Sequence, residues 1–213
     1  MITLLAKSQI RIATLALTIG IVGIVNADEV HVTGSTMGQF NAQPFANQNM
    51  LLGLTYDHSL LDNTTVGGEL DFGGNPNPTT NFNNLGTITL DLSNNVYSGN
   101  TFSVQVTFTA PTTIVGGNTT VFTDIISGTV ANGVGGVFID FNNTPQVFFF
   151  SNAQASGSFS IAVNDLSIAP GQSASITAHV RGSQTSVPEA SSVAGVACGM
   201  LGLFGLIKRK RQS

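Results

Sequence analysis

From residue 85 onward, hydrophobic and polar positions alternate along the chain. In the run Thr101-Phe-Ser-Val-Gln-Val-Thr-Phe108, the residues Phe102, Val104, Val106 and Phe108 fall on one side. Thr101, Ser103, Gln105 and Thr107 fall on the other. A period of two is the signature of a half-buried β-strand, because successive side chains of an extended chain point to opposite faces. Residues 85–92, 121–130, 137–141, 147–150, 159–163 and 176–180 repeat the pattern. Turn-forming residues punctuate them: Asn94-Asn95, Ser98-Gly99-Asn100, Gly116-Gly117-Asn118, Asn132-Gly133, Asn142-Asn143 and Pro170-Gly171. No stretch between the termini carries a capped 3.6-residue period. Short, evenly spaced strands rich in Thr, Val and Phe predict an all-β domain, an antiparallel β-sandwich of immunoglobulin-like or jelly-roll type.

The segment 34–84 is less regular. It predicts one strand over 50–56 and another over 66–72, set among Asn-, Gly- and Pro-rich loops of the kind that carry binding sites. The uncharged run Val147-Phe-Phe-Phe150 suits either a buried strand or an edge that pairs with another chain.

The two ends follow a different pattern. Lys7 and Arg11 precede an uncharged apolar run over 12–25, then Asn26 and Ala27, with polar sequence from Asp28. A basic start, an apolar centre and small residues at the junction predict a signal peptide over 1–27, cut by signal peptidase between Ala27 and Asp28. At the other end an apolar run over 193–207 is closed by Lys208, Arg209, Lys210 and Arg211. Fifteen helical residues reach about 22 Å, short of the roughly 30 Å hydrocarbon core, and snorkelling basic side chains cover part of the difference. The terminal cluster of positive charge predicts that this end stays cytoplasmic and the large domain outside. The division is therefore a signal peptide 1–27, an all-β ectodomain 28–184 and a tail 185–213 with a transmembrane helix over 193–207.

Val187, Pro188 and Glu189, the short helix and the basic terminus, in that order, resemble the PEP-CTERM sorting signal of Gram-negative bacteria and cyanobacteria. The resemblance covers 187–211 and departs from the usual pattern at Ala190, where the family most often has a second proline. It implies processing near Pro188-Glu189 by an exosortase, a membrane-embedded transpeptidase. It also implies transient anchoring in the inner membrane, then the cell surface or the extracellular space, and association with exopolysaccharide and biofilm.

Charge sharpens the picture. Of the seven basic residues only Arg181 lies between Asp28 and Val187, against ten acidic ones, which leaves that stretch at a formal −9 while the whole chain is at −4. An acidic domain with one cation lacks the Lys and Arg that replace phosphate counterions, so nucleic acid is not an expected partner. The single cysteine, Cys198, lies in the apolar tail, so the ectodomain has neither disulfide nor thiol chemistry.

Candidate chemistry is sparse. His31, His58 and His179 are far apart in sequence and fit no metal-ligand spacing, and no nucleophile elbow, phosphate loop or His-Glu-x-x-His motif occurs. The sequence predicts no enzyme and requires no cofactor. Asp57, Asp62, Glu69 and Asp71 form the densest acidic group and offer the oxygen ligands that calcium takes, without matching a calcium-loop spacing. There is no Trp; Tyr56 and Tyr97 are the two aromatic residues with a polar edge for a sugar contact, and the fourteen Phe fall mostly in strand alternation. The expectation is a non-enzymatic surface or matrix protein, with a glycan- or calcium-binding module built on residues 56–81 as the alternative.

Overall fold

The computed structural model describes residues 29–73 and 81–186. The signal-peptide junction at Ala27 and Asp28, the motif Val187, Pro188 and Glu189, the span 193–207 and the basic Lys208, Arg209, Lys210 and Arg211 lie outside the described residues. Among those described, the regular structure is all β and every paired strand is antiparallel; no helix there is long and apolar enough to cross a membrane.

In chain order the strands are β1 (His31–Phe40), β2 (Gln48–Leu51), β3 (Leu54–Asp57), β4 (Leu60–Thr64), β5 (Glu69–Phe72), β6 (Thr87–Leu90), β7 (Asn95–Val96) and β8 (Asn100–Ala110). They continue as β9 (Ile114–Val115), β10 (Thr119–Ala131), β11 (Val134–Ile139), β12 (Gln146–Ser151), β13 (Ala155–Val163), β14 (Leu166–Ile168), β15 (Ser173–Ser175) and β16 (Ala178–Ser186). The largest sheet runs β14-β11-β10-β8-β1-β4, with β7 also on β10. Its long central strands are held in register by pairs such as Phe40 with Phe102 and Phe122 with Val104. In β8 and β10 the even positions bury Phe102, Val104, Val106, Phe108, Phe122, Ile126 and Val130, as the alternation predicts.

Those buried side chains meet two smaller sheets, β15-β6-β3-β2 and β5-β16-β13-β12-β9. Aromatic contacts link the layers at both places. Phe102 packs 5.5 Å from Tyr56 of β3, ring centre to ring centre, and 5.0 Å from Phe40 within its own sheet. Further along, Phe108 meets Phe148 and Phe159 edge-on at 4.9 Å, while those two stack 5.0 Å apart. The layering is sandwich-like, with the second layer divided. The division falls at Ile176, whose N–H donates to the Gly86 carbonyl and whose carbonyl accepts from the Leu85 N–H, both at 2.8 Å. Residues on either side of it belong to different sheets.

Three expectations need correction. The run 50–56 is not one strand but the hairpin of β2 and β3, turning at Leu52 and Gly53, both with positive φ. The strand placed over 66–72 starts at Glu69, after a turn at Gly67 and Gly68. The strand placed over 176–180 starts at Ala178 and runs to Ser186.

Both ends of the described domain leave from one pole. Val30 packs on Gly182 so closely that a Cβ there would sit 2.8 Å from Val30 Cγ2. Glu29 and Gln184 line the same cavity, of about 380 Å³, together with His31, Pro111 and Asn152. The opposite pole carries the β2–β3 and β10–β11 turns, where the Asn95 amide donates to the Leu52 carbonyl and exposed Leu92 lies beside Gly133.

Candidate functional site

The candidate site is the solvent face of β5-β16-β13-β12-β9. Strand register sets its rows. Val147, Ser160, Arg181 and Glu69 are successive neighbours across four strands; Val115, Phe149, Ser158 and Ser183 form the next row. The buried partners Phe148, Phe159 and Val180 face the opposite way, so these residues must face out. Val115, Val147 and Phe149 are 64%, 57% and 61% exposed. Small side chains on β13 and β16 leave a shallow trough of about 240 Å³, lined by Val147, Ser158, Ser160, Arg181, Gly182 and Ser183. One wall is apolar, the floor is hydroxyl-bearing, and the other wall is charged.

That charged wall is a four-group cluster. His179 Nδ1 lies 2.7 Å from Asp71 Oδ1, and its Nε2 lies 2.9 Å from Glu69 Oε2. Arg181 Nε lies 3.2 Å from Glu69 Oε1 and 3.3 Å from His179 Nε2. Arg181 is the sole Lys or Arg among the described residues. The cluster joins the edge strand β5 to β16, where Glu69 pairs with Arg181 and Asp71 with His179.

The four acidic residues proposed for calcium are divided among three strands. Asp57 on β3 accepts from the Gln48 amide at 2.8 Å, and Asp62 on β4 lies 2.8 Å from His31 Nε2. Only Glu69 and Asp71 come together, and they address different nitrogens of one imidazole, whose N–H directions diverge. Among the described residues no group of three or more His, Cys, Asp or Glu is arranged to hold a metal ion. The expected sugar contacts through Tyr56 and Tyr97 are not available either, because both side chains are fully buried. The Tyr56 hydroxyl lies 2.8 Å from Thr36 Oγ1 and 3.1 Å from the Leu85 carbonyl oxygen, and Tyr97 donates to the Leu52 carbonyl at 2.8 Å. Desolvation pushes both phenols above the ordinary tyrosine range.

The His179 cluster was not foreseen from the sequence. Its only local trace is a charged or His residue at every second position, Glu69-x-Asp71 and His179-x-Arg181. Which strand sits beside which, across 108 residues, is decided by the sheet. The exposed Phe149 was similarly hidden among the core phenylalanines. No protein-family model, no curated protein and no solved structure matches the chain.

Proposed function

We propose that the chain is a non-enzymatic exported protein of the cell surface or extracellular matrix, processed by signal peptidase and an exosortase-type enzyme and associated with exopolysaccharide or biofilm. In this reading the ectodomain is a β-sandwich of immunoglobulin-like or jelly-roll type, anchored first in the inner membrane by the helix over 193–207 and then displayed or released. The observation that carries it is the shared pole. Glu29, two residues past the expected cleavage at Ala27, and Gln184, three residues before the motif at Val187, line one cavity. Both flanking segments then meet the membrane from the same side, and the rest of the domain is free to face outward.

Intact mass of the native protein, measured by cell fraction, tests this. The expected result is loss of residues 1–27 and of the chain beyond about Pro188, with the product in the envelope or medium. A species that keeps residues 193–213 and occurs only in the inner membrane would refute exosortase sorting and leave a plain anchored domain.

A second reading, a glycan-binding module, is favoured by the exposed Phe149 and Val147 beside the serine-lined trough. Apolar side chains cover sugar C–H groups while hydroxyls exchange hydrogen bonds with sugar hydroxyls. The ligand suited to this face is a neutral polysaccharide, since a domain at −9 repels polyanions. On an array of neutral polysaccharides containing chelator, wild type is expected to bind and Phe149→Ala to lose about tenfold, roughly the 1.4 kcal/mol of one apolar contact. Equal binding by both proteins, or none by wild type, removes this reading.

A further inference from the structure

We propose that the solvent face of the largest sheet is a self-association surface, on which a second copy of this chain docks face to face. Burial and register define that face. Phe122, Ile126 and Val130 of β10 are buried, so Val121, Ile125 and Thr129, which alternate with them, point outward. Pairing extends these positions across the sheet: Val121 with Gln105 and Met37, Thr119 with Thr107, Ser35 and Leu60, Ser127 with Phe138, and Thr129 with Val96. Met37, Leu60, Val96, Val121, Ile125 and Phe138 are all exposed there. One face of one sheet therefore presents six large apolar side chains to solvent.

Charge favours a second copy as the occupant. The domain is at a formal −9, yet the outward positions of β8 and β10 hold no charged side chain, and Asp124 points inward with Phe122 and Ile126. The nearest carboxylates lie at the rims: Asp62 on β4, level with Thr33, and Asp140 and Asp165 just outside β11 and β14. Two copies meeting here keep their like charges apart, whereas meeting by the other layer would bring Glu69 and Asp71 of each together. The hydroxyls of the face are largely occupied with one another. Thr33 bonds Thr109 at 2.8 Å, Ser103 bonds Thr123 at 2.7 Å, and Ser127 donates to the Phe138 carbonyl at 3.2 Å. Hydroxyls paired in this way cost less to bury under another protein and offer less to a polar polymer.

Area and symmetry agree. The adjoining strands β11, β10, β8, β1 and β4 give four spacings of about 4.8 Å, and residues 119–127 run about 27 Å, so each copy offers roughly 500 Å². A pair buries about 1,000 Å², the lower limit for a specific interface, and the affinity expected is micromolar or weaker. The strands run from pole to pole, because β8 ends at Ala110 in the terminal cavity and β10 ends at the opposite turn. A two-fold axis along them stacks the sheets with strands aligned and leaves both terminal poles on one side. The pairing does not depend on how the tail is processed.

Sedimentation equilibrium of the full chain, in micelles of an uncharged detergent with reductant present, tests this. A reversible dimer is expected in the micromolar to millimolar range. Raising the salt from about 0.01 M to about 1 M should tighten it three- to tenfold, because screening removes repulsion between acidic domains. Val121→Asp and Ile125→Asp should each weaken it at least about tenfold, by burying a carboxylate without a partner. Phe149→Asp, on the other layer, should leave it within about twofold. Both face variants change exposed residues, and unaltered circular dichroism and thermal unfolding verify their fold. A monomer at every concentration would overturn the proposal, as would a dimer that survives both face variants or that Phe149→Asp weakens equally. A dimer that salt weakens would be held by the basic terminus instead. A monomer that binds a neutral polysaccharide, and loses it in Ile125→Asp, would give the face to a glycan and likewise overturn the pairing.

Discussion

Replacing Tyr56 with alanine is expected to destabilise the domain by about 3–5 kcal/mol, the range for deleting a fully buried aromatic ring. The ring has no other place to go and nothing nearby can fill its space. Gly38 on β1 and Gly86 before β6 flank it, and a Cβ on either would lie 2.3 Å from a ring carbon. The slot exists because both residues lack side chains, so the backbones on either side cannot collapse inward without a new gap elsewhere. Its hydroxyl completes a small polar network. Thr36 Oγ1 accepts from Tyr56 and from the Ser59 N–H at 2.9 Å, and donates to the Ser59 carbonyl at 3.3 Å. Tyr56→Phe keeps the ring and removes the donor, for an expected loss of about 1–3 kcal/mol. Gly86→Ala should be as harmful as Tyr56→Ala, because Gly86 also sits at φ +110°, where a Cβ is strained whatever the space. Urea unfolding followed by far-UV circular dichroism measures all three. A loss under 1 kcal/mol for Tyr56→Ala would mean that the slot does not hold the ring.

Phe159→Ala is expected to cost a similar 3–5 kcal/mol, by opening the contact between the large sheet and the sheet built on β13. Phe108, Phe148 and Phe159 form a closed triangle, with centres 4.9 to 5.0 Å apart, so deleting one strips two partners of a neighbour. The contrast on β12 is diagnostic. Phe148→Ala should cost nearly as much, while Phe149→Ala, one residue along and facing solvent, should stay within about 0.5 kcal/mol. Equal losses for Phe148→Ala and Phe149→Ala in the same urea experiment would refute the assigned facing of the strand. The contrast also protects the glycan test, because loss of binding in Phe149→Ala then cannot be ascribed to unfolding.

Local pattern made much of this fold legible. The strands β8 and β10 alternate cleanly, and the Asn132-Gly133 turn joins β10 to β11 with positive φ at both residues, as its sequence predicts. The β2–β3 turn uses the same backbone with Leu52 in place of Asn, so its sequence reads as continuous strand. The ten-residue β1 escaped notice because its inward positions include Gly34, Thr36 and Gly38. These are small or polar for reasons that only packing explains. A Cβ on Gly34 would strike the Thr107 carbonyl oxygen, and Gly38 makes room for the Tyr56 ring. Where β15 gives way to β16, Ile176 is as apolar as any strand residue; the change of sheet there depends on Leu85 and Gly86, some ninety positions earlier. The candidate site was least legible of all, since each of its rows collects residues from strands distant in sequence.

The shared pole has one more consequence. In the proposed pathway the domain is held first by the segment before Glu29, then by the segment after Ser186, and at some stage by both. Had those points been at opposite poles, each cut would turn the domain over relative to its anchor. With Val30 packed on Gly182, the hand-over from one attachment to the other leaves its orientation unchanged. The faces offered outward are then independent of which enzyme acts first.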